Sequence, residues 1–83
     1  MKQISYTKSA IRALRRMPAN TATLIRTKIE AYAQDPGSQA NNVKSLKGRE
    51  GLRLRVGDWR VIMDDQGNVL GVLAIGPRGG IYD

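Results

Sequence analysis

Apolar and polar positions along the chain change period about halfway. Residues 2–6, KQISY, alternate and predict a short strand. From Lys8 onward the spacing turns helical. Thr7 or Ser9 is placed to cap a helix running to about Met17, with Ile11 and Leu14 on its apolar side and Lys8, Arg12, Arg15 and Arg16 exposed. Pro18 and Asn20 end that helix and open another over residues 21–34, where Ile25, Ile29 and Tyr32 fall on one face. Asp35-Pro36-Gly37 stops it. So short a link predicts two antiparallel helices packed together. Residues 37–51 are rich in Gly, Ser and Asn and read as a loop carrying Lys44, Lys47 and Arg49.

Beyond that loop the period becomes two. Leu52–Val56 and residues 59–64 alternate, residues 65–68 form a turn cluster, and residues 69–75 make an apolar run suited to a central strand. Gly76-Pro77 breaks it, and Ile81-Tyr82-Asp83 supplies a stub of a further strand. The predicted order is βααβββ: an α+β domain with an antiparallel sheet and the N-terminal helical hairpin packed on one face. The 83 residues suit a single domain, 1–83.

Within this pattern the stretch GLRLRVGDWRVI (residues 51–62) is the most informative. Gly57-Asp58 fits a two-residue type II′ hairpin turn. Val56 then pairs with Trp59, Leu54 with Val61 and Leu52 with Met63, and these six side chains share the face that meets the helices. Arg55 sits opposite Arg60, Arg53 lies one pair further along, and all three project from the other face. Like charges directly opposite one another destabilise a strand pair. A plain solvated face accommodates them only if the long side chains splay apart. A better account is a bound anion, since the planar guanidinium fork matches phosphate.

Composition sharpens that reading. Lys and Arg number 14 against 7 Asp and Glu, a formal net charge of +7, which points to an anionic partner such as nucleic acid. Histidine and cysteine are both absent. There is no imidazole for proton transfer near neutral pH and no usual zinc ligand, so neither a metal nor a cofactor is expected. Without cysteine there is no disulfide framework. No segment has signal-peptide or membrane-span character, and a cytoplasmic protein without membrane association is expected. A second cluster, IGPRGGIYD (residues 75–83), places Arg78 just after the strand break, two glycines next, and Tyr82 four residues on.

Together, LKGREGLRLRVGDWRVI (residues 46–62), VLAIGPRGGIYD (residues 72–83) and the βααβββ order resemble the RelE/ParE superfamily of bacterial toxins over nearly the whole chain. The resemblance implies one of two activities: ribosome-dependent cleavage of mRNA in the A site, as in the RelE-like branch, or inhibition of DNA gyrase, as in the ParE-like branch. It places the RelE-like functional positions at Arg53 and Arg55 on the first hairpin strand, Arg60 after the turn, Arg78 after the last long strand, and Tyr82. All five hold a suitable residue, which favours a metal-independent endoribonuclease. On that reading the catalytic set is Arg60, Arg78, Tyr82 and Arg55, substrate is bound by Arg53, Arg55, Lys44 and Lys47, and Asp83 is a further candidate base. Several relatives have lysine where this chain has Arg53 and Arg55. Arginine does not lose its proton, so a lysine-type base is not expected. Many relatives carry a helix beyond the tyrosine, and no contribution from one is expected here.

The resemblance also implies a cognate antitoxin, acidic or amphipathic where it wraps this domain, with operator DNA engaged through the antitoxin; ribosome and mRNA are the remaining partners. On a gyrase-inhibitor reading, the helical hairpin (residues 8–34) would carry the contact. A non-catalytic nucleic-acid-binding module is a second alternative, distinguished by salt-sensitive binding without toxicity, and a decayed toxin that keeps only antitoxin binding is a third.

Overall fold

A computed structural model of the chain describes residues 1–46, 48 and 50–79. Its first strand, β1 (Gln3–Tyr6), leads into α1 (Lys8–Arg16), whose N-terminus is capped by the Thr7 hydroxyl accepting from the Ala10 N–H at 3.1 Å. Helix α2 (Ala19–Gln34) begins directly after Pro18, two residues earlier than the sequence pattern suggests. Ile25, Ile29 and Tyr32 are buried, as their spacing requires. On α1 the buried residues are Ala10 and Leu14, while Ile11 is 36% exposed. The expected apolar side is therefore rotated: with Thr7 as cap, the small Ala10 rather than Ile11 faces the sheet.

The region expected to be a loop is more ordered than its composition indicates. A 3₁₀ segment, Pro36–Asn42, leads into β2 (Val43–Ser45), which pairs with β3 (Leu52–Val56). Three residues with one apolar member carry almost no periodic signal, which is why β2 escapes sequence reading. Strands β4 (Trp59–Asp65) and β5 (Val69–Pro77) complete the sheet.

Sheet order is β1-β5-β4-β3-β2. Four strands form an antiparallel meander, but β1 lies parallel to β5, Gln3 against Val69 through Tyr6 against Val72. The sheet is thus mixed rather than purely antiparallel. Residue alternation fixes which face of β1 is apolar but carries no information about a partner so distant in the chain. The α+β class and the packing of α1 and α2 on one face hold. The core lies between them, built on Leu14, Ile25, Ile29, Leu54, Val61, Met63, Leu70 and Val72.

Strand β5 contains a bulge that its sequence encodes. Ile62 pairs with Ala74 but Met63 with Val72, leaving Leu73 as the extra residue. Leu70 and Val72 point inward at period two, and the bulge resets the phase so that Ile75 does too. Leu73 is left 42% exposed. Among the described residues no helix is long and apolar enough to cross a membrane. The expected terminal strand stub lies outside the described residues.

Candidate nucleic-acid interface

The hairpin joining β3 and β4 has the predicted register: Leu52–Met63, Arg53–Ile62, Leu54–Val61, Arg55–Arg60 and Val56–Trp59. Gly57 has φ +58° and Asp58 is not in the left-handed region, as a type II′ turn requires. Leu54, Val56, Val61 and Met63 are buried against the helices, with Leu52 and Trp59 partly so. The opposite face carries Arg53, Arg55 and Arg60. Ile62 lies in the same row yet is 1% exposed, between Arg53 on β3 and Ala74 on β5. This face is therefore not uniformly polar: it has an apolar floor beside the arginines.

Arg60 is held back against the turn. Its Nη1 donates to the carbonyls of Gly57 and Trp59, each at 3.1 Å. Across the sheet it faces Gly76, which has no side chain to crowd it. Arg78 reaches the same place from the end of β5, its backbone N–H donating to the Asp58 carbonyl at 2.6 Å. Residues far apart in sequence are thus gathered around one turn.

Two adjoining hollows result. One, about 370 Å³, is lined by Asn41, Asn42, Lys44, Arg53, Arg55 and Arg60. The other, about 500 Å³, is lined by Leu24, Lys28, Asn42, Arg55, Val56, Gly57, Asp58, Arg60 and Arg78. Among the described residues no carboxylate pairs with Lys44, Arg55, Arg60 or Arg78. The opposite end of the same strands is acidic, with a hollow of about 600 Å³ bordered by Glu50, Asp64 and Asp65. Charge, not volume, decides between them as an anion site, and it selects the arginine end.

At the acidic end the carboxylates serve structure. Asp65 accepts from the Gly67 N–H at 2.9 Å and from the Tyr32 hydroxyl at 2.9 Å, and pairs with Lys2 at 3.2 Å. The Gly67 bond chiefly holds its carboxyl below the ordinary carboxylate value, with help from Tyr32 and Lys2 against the effect of burial. Burial first, and Asp65 second, push the Tyr32 hydroxyl up to about 12. Among the described residues no group of three or more His, Cys, Asp or Glu is arranged to hold a metal ion.

The structure thus brings together Arg53, Arg55, Arg60, Arg78 and Lys44. Lys47, Tyr82 and Asp83 lie outside the described residues. Sequence reasoning passed over Asn41, Asn42, Lys28 and Leu24. Leu24 and Lys28 stand one helical turn apart on α2, a spacing that gains meaning only once α2 is known to pass beside the hairpin turn.

The family model for the ParE toxin of type II toxin-antitoxin systems, parDE, matches residues 4–82. A solved archaeal RelE–RelB complex from Pyrococcus horikoshii OT3 is similar with TM-score 0.78 at 23% identity, over 96% of this chain and 98% of that one. The RelB–RelE antitoxin–toxin complex from Methanococcus jannaschii gives 0.75 at 22%, over 95% of each chain. The intact E. coli RelBE complex gives 0.69 at 18%, over 93% and 96%. No curated protein matches the chain significantly.

Proposed function

The chain belongs to the ParE toxin family of type II toxin–antitoxin systems, within the RelE/ParE superfamily, and from that premise we propose that it is a ribosome-dependent endoribonuclease cutting mRNA in the A site. The observation that carries this reading is the convergence of Arg55, Arg60 and Arg78 on one hollow at the hairpin turn. RNA brings its own nucleophile. The ribose 2′-oxygen attacks the adjacent phosphorus and loses its proton, the bond from phosphorus to the 5′-oxygen breaks, and that oxygen takes up a proton. The products are a 2′,3′-cyclic phosphate and a 5′-hydroxyl. The protein supplies in-line geometry and compensates charge on the phosphorane. Arg60 and Arg78 clamp the reacting phosphate, while Arg53 and Arg55 bind the strand. Tyr82 orients the base or accepts the proton, with Asp83 as the other candidate base.

Arg60 is restrained before substrate arrives, because two carbonyls hold one of its nitrogens. Lacking histidine, the protein relies on the ribosome to position RNA, and free RNA is cut slowly or not at all. A cognate antitoxin is the cellular partner, in keeping with neighbours solved as RelE–RelB complexes.

The test is primer extension on mRNA translated by programmed ribosomes, with Arg78→Ala alongside. Cuts at A-site codons that need ribosomes and fall about 10²–10³-fold in the variant are expected, the scale of losing one oxyanion-stabilising group. Intact mRNA with the unaltered protein refutes the reading.

A second reading has its own support. The matching family model is that of the ParE branch, and Ile11 and Leu24 leave apolar surface on the helical hairpin, 36% and 49% exposed. On that reading the helices bind DNA gyrase. Inhibition of supercoiling that survives Arg78→Ala, with mRNA left intact, would establish it.

A further inference from the structure

The two hollows at the hairpin turn share a ridge made by Arg55, Arg60 and Asn42. Cations flank the ridge on both sides, Lys44 and Arg53 on one, Lys28 and Arg78 on the other. A strand whose reacting phosphate is clamped by Arg60 and Arg78 continues over Arg55 toward the 370 Å³ hollow, which would take a neighbouring nucleoside. Guanidinium and ammonium groups only donate hydrogen bonds, and they hold phosphate whatever the sequence. They do not tell one base from another by a paired donor and acceptor.

Asn41 and Asn42 supply that pair. They are the uncharged residues lining the 370 Å³ hollow. Among the described residues no hydrogen bond engages either side-chain amide. Their backbone is not loose: Asn42 ends the 3₁₀ segment and immediately precedes Val43, which pairs with Leu54. Continued by one step, that register sets Asn42 beside Arg55. An amide presents a donor and an acceptor side by side, the complement of a base edge, and single-stranded RNA offers such edges unpaired.

We propose that Asn42, seconded by Asn41, reads the base on one side of the bound phosphate and sets which codons the toxin cuts. This rests on the nuclease reading. The experiment measures cutting by primer extension on ribosomes programmed with a series of A-site codons, comparing unaltered protein, Asn42→Ala and the Asn41→Ala/Asn42→Ala pair. The unaltered protein cuts a favoured subset of codons. Asn42→Ala narrows the ratio of favoured to disfavoured cutting by about tenfold or more while disfavoured codons are still cut, and the double variant narrows it further. Asn42→Ser keeps a small polar side chain without the paired amide, and carries the same expectation if alanine lowers the melting temperature.

Three results overturn the assignment while leaving the nuclease reading intact: an unchanged ratio, a uniform loss at every codon in a variant that melts normally, or no codon preference in the unaltered protein. Failure of the unaltered protein to cut any codon removes the nuclease reading, and this proposal with it.

Discussion

Arg55 and Arg60 stand directly opposite each other in the β3–β4 ladder, so removing one charge should stabilise the protein while weakening its site. Arg55→Gln keeps a long polar stem and deletes the guanidinium. Opposed positions bring side-chain roots to about 5 Å, and two unit charges about 6 Å apart in a water-like medium repel by about 0.7 kcal/mol. Arg60 is held by its bonds to the Gly57 and Trp59 carbonyls, so only the exposed Arg55 side chain is left to splay, which relieves part of this. After allowance for the exposure of Arg55, the expected gain is about 0.5 kcal/mol at low salt, or about 2–4 °C in melting temperature for a domain of this size. At about 1 M salt the screening length falls to about 3 Å and the gain should disappear. Inorganic phosphate should raise the melting temperature of the unaltered protein more than that of the variant. The assay is thermal unfolding across a salt and phosphate series. A variant that melts no higher at low salt, or whose gain persists in high salt, refutes the electrostatic argument.

Other outcomes follow from the same structure. Asp65→Asn should cost about 1 kcal/mol near neutral pH by weakening the link to Lys2 and Tyr32, read by denaturant unfolding. The Asp65 carboxyl is depressed in the folded state, so its contribution is full above the unfolded carboxylate value and is lost as pH falls through the folded one; Asp65→Asn should flatten that acid limb of stability. Tyr32 is shifted the other way, to about 12; its contribution is full below the ordinary tyrosine value near 10 and is lost as pH rises toward 12, which ultraviolet titration beside Tyr32→Phe would detect. Gly51→Ala should cost about 2 kcal/mol, because Gly51 has φ +122° and a Cβ there would stand 2.9 Å from the Leu46 Cδ1 and 3.2 Å from the Met63 carbonyl. Gly57→Ala meets no neighbour and should cost about 1 kcal/mol from its positive φ alone. Equal costs at the two glycines would contradict the steric part of this account.

Local signals made most of the fold legible. The Gly57-Asp58 turn fixed the hairpin register to the residue, and with it the opposition of Arg55 and Arg60. The stripe of Ile25, Ile29 and Tyr32 oriented α2. What stayed hidden depends on distant pairing or on neighbours. The parallel partner of β1, the three-residue β2 and the rotation of α1 that exposes Ile11 each follow from packing that no short window contains. The candidate site divides in the same way. Its arginines stand out because like charges opposed on a strand pair call for a counter-ion. Asn42 and Lys28 look like ordinary polar surface until the 3₁₀ segment and α2 carry them to the turn.

The pairing of residues 3–6 with residues 69–72 also orders events during synthesis. While a ribosome has made only the first sixty-odd residues, β1 has no strand to join, α1 lacks the β5 surface it packs on, and Arg78 does not yet exist. A hairpin with one open edge then stands in for the sheet. The arginine cluster is completed only when β5 emerges and closes the sheet from the N-terminal side. Growing chains that stall before β5 is made therefore lack both the partner strand of β1 and Arg78, one wall of the hollow beside the hairpin turn.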